Sequence, residues 1–186
     1  MRKLGLLCAA LLLVATAAAA QEHPSTEVVA GYSYLRANPN TSSADSFNLN
    51  GGAASVAFYP WHWLGFAADF AGNHVGQIGS TTVDNNLFSY LFGPRVRLPG
   101  TKHYKPFAQT LFGAAHATGT TAFAGAGTHN SFAMAVGGGL DIPVTRHWGL
   151  RAFEVDYLPT WFPESATGGR VVQNNLRVST GVRFRF

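Results

Sequence analysis

The sequence predicts an all-β fold: an eight-stranded antiparallel up-and-down transmembrane β-barrel. Three observations predict it. Large apolar side chains alternate with small or polar ones over eight runs of roughly ten residues or more, and no stretch after residue 25 has helical periodicity. The connections between runs alternate short and long, as in barrels that cross an outer membrane with short periplasmic turns and longer outer loops. Charge is scarce: Asp, Glu, Lys and Arg make up 12% of the 186 residues, against about 25% in an ordinary soluble domain, while 47% are hydrophobic and 13% aromatic.

Residues 1–20 read as an export signal. Arg2 and Lys3 form its positive start, an apolar run continues to Ala15, and Ala18-Ala19-Ala20 offers a small-residue cleavage site before Gln21. The run is short for a membrane anchor and ends in small residues. Residues 21–186 are expected to form one barrel domain. The single cysteine, Cys8, lies in the signal, which leaves no disulfide framework or zinc ribbon. The formal charge of +4 includes Arg2 and Lys3, so it gives no argument for a nucleic-acid partner. The hydrophobicity excludes intrinsic disorder.

The strands are predicted at 26–36, 47–59, 64–75, 86–98, 105–117, 131–143, 148–161 and 173–186. The first opens on Ala30-Gly31-Tyr32-Ser33-Tyr34. The second and fifth do not settle which face points where. In the third, Leu64, Phe66, Ala68 and Phe70 oppose Gly65, Ala67, Asp69 and Ala71. In the fourth, Phe88, Tyr90, Phe92, Pro94, Val96 and Leu98 oppose Ser89, Leu91, Gly93, Arg95 and Arg97. The sixth sets Phe132, Met134, Val136, Leu140 and Ile142 against Ala133, Ala135, Gly137, Gly139 and Asp141. In the seventh, Glu154 and Asp156 fall on one face; alternation places Arg151 with Phe153 and Val155 on the other, where it would snorkel near the interface. The eighth sets Leu176, Val178, Val182, Phe184 and Phe186 against Asn175, Arg177, Gly181, Arg183 and Arg185. The connections 60–63, 99–104 and 144–147 are short, whereas 37–46, 76–85, 118–130 and 162–172 are longer and rich in Gly, Ser, Thr and Asn.

One face is therefore bulky and apolar, and the other small with isolated charges. A soluble lipocalin-like barrel would have the reverse polarity; this one suits lipid outside and a filled interior. Aromatics gather where the interfaces should lie: Tyr59, Trp61, Trp63, Tyr104, Phe107, Trp148 and Phe186 near the short turns, and Tyr34, Phe47, Tyr157, Trp161 and Phe162 near the long loops. The interior face collects Asp69, Asp141, Glu154 and Asp156 with Arg95, Arg97, Arg177 and Arg183. Buried charges must pair, so the expectation is a structural ion-pair network; a gated ion path is the sharper alternative.

The opening Ala30-Gly31-Tyr32-Ser33-Tyr34, the stretch 151–158 and the ending 174–186 resemble small OmpA/OmpX-like outer-membrane barrels, the outer membrane protein beta-barrel domain group. The resemblance spans essentially the whole exported chain. It implies that Phe184 and the terminal Phe186 act as a signal to the barrel-assembly machinery, and that the partners are outer-membrane lipid and lipopolysaccharide. The longer relatives' peptidoglycan-binding domain is not expected after residue 186. Some small barrels are lipid A enzymes with a His-x-Ser pair and a later acid. His129-Asn130-Ser131 meets that spacing, but Asp141 lies ten residues on, roughly 30 Å along a strand. No catalytic site, metal site or cofactor is expected; His74, His116 and His129 read as rim residues. The expected function is a monomeric, non-enzymatic outer-membrane barrel with a structural or surface-interaction role, meeting any extracellular ligand through its outer loops. The alternatives are a small ion or solute channel and a lipid A-modifying enzyme.

Overall fold

The computed structural model describes residues 25–38, 46–78, 81–119, 127–163 and 170–186. The export segment 1–20 with Cys8, the side chains of His129 and Phe162, and the loop segments 39–45, 79–80, 120–126 and 164–169 lie outside the described residues. Eight strands form a closed antiparallel barrel in sequence order: β1 (Ser25–Ala37), β2 (Phe47–Tyr59), β3 (Leu64–Ile78), β4 (Thr81–Arg97), β5 (Lys105–Gly119), β6 (Gly127–Pro143), β7 (Trp148–Pro163) and β8 (Arg170–Arg185). β1 pairs with β8 from Glu27↔Arg185 to Arg36↔Leu176, so no strand edge is left open to lipid. Backbone bonds from Arg185 N to His147 O (2.8 Å) and from Phe186 N to Thr26 O (3.0 Å) finish the seam.

Several strands run further toward the long-loop end than the alternation indicated. Much of the segment predicted as the 76–85 loop is strand, continuing β3 to Ile78 and starting β4 at Thr81, with a register shift between Val75 and Gln77. The same holds at 118–130 and 162–172, where β5 reaches Gly119, β6 starts at Gly127, β7 reaches Pro163 and β8 starts at Arg170. Gly, Ser, Thr and Asn mark turns by propensity, but here the ladder bonds carry through them.

The facing is inside-out. Phe66, Phe70, Phe88, Phe92, Phe112 and Phe132 are exposed on the outer wall, while Arg95, Arg177, Glu154 and Asp156 are buried. The facing of β2 and β5 is now defined: Phe47, Leu49, Ser55, Ala57 and Tyr59 point inward from β2, and Phe107, Gln109, Leu111, Ala115 and Ala117 from β5. Small residues on β6 leave room for these side chains. A Cβ on Gly139 would come within 2.9 Å of the Phe107 ring, and one on Gly137 would collide with the Asp156 carboxylate.

Candidate functional site

The lumen has two zones. The outer zone mixes leucines with uncharged polar groups: Leu35, Leu49, Leu87, Leu91, Leu111 and Leu158 pack with small residues such as Ala115, Ala133 and Ala135, and Ser33, Asn73, Asn85, Thr160 and Asn175 are buried among them. On β4, β5 and β7 a leucine lies toward the long loops from the residue that enters the charged network: Leu91 beyond Arg95, Leu111 beyond Gln109, Leu158 beyond Asp156. The zone nearer the short turns is charged.

Its centre is Arg177. The Nη1 atom faces Asp69 Oδ1 at 2.5 Å, and Nη2 bonds Asp156 Oδ2 at 2.7 Å with Glu154 Oε1 at 3.6 Å. Gln109 joins the parts: its Nε2 donates to Asp156 Oδ1 (2.9 Å) and Glu154 Oε1 (3.1 Å), while its Oε1 accepts from Arg95 Nε at 2.8 Å. Arg95 lies 3.9 Å from Glu154 and 4.8 Å from the Phe107 ring centroid. Such forks suit Arg, whose fixed planar donors hold two carboxylates at once.

Arg151 belongs to this network, contrary to the expectation that it shares the outer face with Phe153 and Val155. It is buried, forks onto Asp141 (2.9 and 3.2 Å), and bonds Glu154 Oε2 at 2.5 Å. The cause is a β-bulge. Arg151↔Gly181 is followed by Glu154↔Ser179, so β7 advances three residues while β8 advances two. Ala152 and Phe153 both face out, and Arg151 turns in. Thr180 Oγ1 donates to the Arg151 carbonyl at 2.9 Å at this irregularity.

A second cluster lies at the short-turn mouth. Glu27, absent from the predicted set, is buried and accepts from Arg97 Nη2 (2.9 Å) and Arg183 Nη1 (2.7 Å). Tyr59 corrects another expectation: it is 2% exposed inside the barrel, with the Arg97 guanidinium 3.4 Å from its ring centroid, and is no interface aromatic. Phe107 and Phe47 are likewise buried, not interfacial. Each shares the inward parity of its strand. Adding Arg151 and Glu27, the interior holds the acids Glu27, Asp69, Asp141, Glu154 and Asp156 and the bases Arg95, Arg97, Arg151, Arg177 and Arg183. Arg97 is the most accessible of them, its side chain 17% exposed.

The remaining aromatics mark two belts outside. Trp61, Trp63, Tyr104 and Trp148 are exposed near the short turns. Phe184 stacks edge-on against Trp148 and Phe186, both at 4.8 Å, over the closing seam. Toward the long loops, Tyr157 donates to Asn174 Oδ1 (2.6 Å), and Trp161 packs on Phe132 at 5.3 Å. His74 and His116 pair with Asn86 (2.9 Å) and Asn130 (2.6 Å) on the outer wall. Ser131 points into the lumen near the long-loop end, whereas Asp141 sits at the opposite end under Arg151, so the two do not meet. Among the described residues no group of three or more His, Cys, Asp or Glu is placed to hold a metal ion.

A closed barrel with apolar aromatics outside and paired charges inside defines the class: a transmembrane β-barrel of the outer-membrane type. The chain belongs to the outer membrane protein beta-barrel domain family, whose sequence profile matches residues 6–184. No curated protein matches it in sequence. Among solved structures it is similar to Neisserial surface protein A (21% identity, TM-score 0.65), covering 89% of this chain and 100% of that one. It is similar to Ail, the attachment invasion locus protein of Yersinia pestis (17%, TM-score 0.58), over 89% and 100%. It is also similar to OprG from Pseudomonas aeruginosa (10%, TM-score 0.55), over 87% and 95%. These likenesses establish the fold. The family places the chain in the outer membrane, in contact with its lipid and lipopolysaccharide. The end with the short turns and both strand termini is then periplasmic.

Proposed function

We propose that the protein is a sealed, non-enzymatic outer-membrane scaffold with a structural or surface-interaction role. The filled lumen carries this reading. The charged zone is closed by guanidinium–carboxylate forks, the outer zone by leucines and buried uncharged polar side chains, and the void beside Asp69, Arg151 and Glu154 has a volume of about 10 Å³, room for about one water. A conducting path needs a continuous column of water, which this packing interrupts. The separation of Ser131 from Asp141 speaks against the lipid A enzyme, because a serine nucleophile needs its base and orienting acid within hydrogen-bond reach.

Surface interaction falls to the outer loops. Ail has been crystallised with the heparin analogue sucrose octasulfate; an anionic glycan is therefore the first class of extracellular ligand to try on this chain. Residues 1–20 act as the export signal in this reading, Phe184 and Phe186 address the chain to the assembly machinery, and the barrel is a monomer.

Planar-bilayer recording of the purified, folded protein tests the sealed lumen. Silence is expected, and reproducible unitary conductance would overturn it in favour of a channel. Mass spectrometry of lipid A from cells with and without the protein should show the same acyl pattern; a changed pattern would restore the enzyme.

A further inference from the structure

At the periplasmic mouth, the connections after β2 and β4 enclose a pocket of about 320 Å³ lined by His62, Trp63, Arg97, Leu98, Gly100 and Lys105, among others. It is preformed. The Arg97 backbone N–H donates to the Trp63 carbonyl at 2.7 Å and its Nη1 to the His62 carbonyl at 3.3 Å, which ties the two turns together. Bonds from Leu98 N to Pro106 O and from Thr101 N to Tyr104 O, both 2.9 Å, shape the second turn.

Its charge is positive and only partly compensated. A guanidinium has five N–H donors; those of Arg97 are engaged by Ser25 (3.0 Å), Glu27 (2.9 Å) and His62 (3.3 Å), which leaves two. Glu27 is shared with Arg183, so the mouth keeps a net positive charge. Asp141, the register partner of Lys105, has both its oxygens on Arg151. Lys102 adds an exposed cation on the same turn. On the lipid side the pocket is apolar, with Trp63 and Leu98 nearly half exposed. Cations beside an exposed indole are the arrangement that meets a phosphate at the boundary between headgroups and hydrocarbon.

We propose that this pocket binds the headgroup of an anionic glycerophospholipid of the periplasmic leaflet. Arg97 and Lys105 face the phosphate, and Trp63 and Leu98 lie along the first methylenes of the chains. The site is independent of the sealed lumen, since a conducting barrel would keep the same pocket.

Native mass spectrometry tests it on the full barrel released from phosphatidylcholine nanodiscs containing a minor fraction of phosphatidylglycerol. The unaltered protein should retain one phosphatidylglycerol in preference to phosphatidylcholine. Lys105→Gln should lower that retention about fivefold, the worth of roughly one basic residue at a membrane surface, and Lys105→Glu by more. Arg146→Gln, on a different periplasmic turn, should leave it unchanged, and heat-shifted gel mobility reports that each variant is folded. Equal retention of both lipids by the unaltered protein overturns the proposal without recourse to any variant. So does an Arg146→Gln loss equal to that of Lys105→Gln, which would mean diffuse attraction. Displacement of the retained lipid by millimolar inorganic phosphate would overturn the lipid assignment and leave a free-anion site.

Discussion

Replacing Arg177 with Met removes the centre of the lumenal network at nearly constant volume. Arg177 is 1% exposed and faces Asp69, Asp156 and Glu154. The three acids do not suffer equally. Asp156 keeps the Gln109 amide at 2.9 Å, and Glu154 keeps Arg151, but Asp69 loses the guanidinium that faces it. The expected cost is that of one broken buried pair, about 3–5 kcal/mol. With a urea slope of about 1–3 kcal/mol per molar, the unfolding midpoint falls by about 1 M or more. The assay is tryptophan fluorescence of protein refolded into phospholipid vesicles and titrated with urea. The triple change Asp69→Asn/Asp156→Asn/Arg177→Met, which removes the stranded charges as well, should recover most of the loss. An Arg177→Met midpoint indistinguishable from the parent's would mean that water already solvates these carboxylates. That result would refute the dry lumen and with it the sealed reading.

Other expectations follow from the same geometry. Deleting Phe186 should lower the amount of folded barrel in the outer-membrane fraction; normal levels would discredit its role as an assembly signal. Phe92→Arg, on the lipid face beside Phe70 (5.8 Å between ring centroids), should destabilise by about 2–4 kcal/mol if it sits near the midplane, read by the same urea titration. Gly139→Val should block folding, because a Cβ there would collide with the Phe153 carbonyl oxygen and lie 2.9 Å from the Phe107 ring; recovery of a heat-shifted band would mean that the β7 backbone can back away as well as the ring.

Alternation made the fold legible, since lipid on one side and a filled lumen on the other impose period two on every strand. It was enough to put Asp69 and Arg177 inward, and the structure sets them against each other. It was insufficient where the signal is local or weak. β2 carries Gly51-Gly52-Ala53-Ala54, small on both faces, so its sequence did not reveal that Tyr59 follows Ser55 and Ala57 inward. Tyr59 instead stood beside a turn with Trp61 and Trp63 and read as one of them. Glu27 has the inward parity of Val29, Ser33 and Leu35, a pattern that could have found it. For Arg151 the two halves of β7 give opposite parities: Trp148 and Leu150 put it inward, Phe153 and Val155 put it outward, and the bulge that reconciles them carries no sequence mark. The chemistry sides with the first half, because a buried Asp141 needs a cation.

Arg151 therefore offers a test in which the two readings differ in sign. If plain alternation held, its guanidinium would lie on the outer wall close to the periplasmic interface. Replacing it with Met would then be neutral, or stabilising by about 0–1 kcal/mol, the cost of a charged side chain on the lipid face near an interface. With the bulge, Arg151 is buried, and Arg151→Met strips both oxygens of Asp141 of their fork. Glu154 keeps Gln109 and the neighbouring guanidiniums of Arg177 and Arg95, so the loss centres on Asp141. The expected change is a destabilisation of about 3–5 kcal/mol. Asp141→Asn/Arg151→Met should recover part of it, since an uncharged amide needs no counterion. A midpoint for Arg151→Met at or above the parent's would place the guanidinium outside and remove the bulge from the account of how β7 delivers Arg151, Glu154 and Asp156 to one lumen.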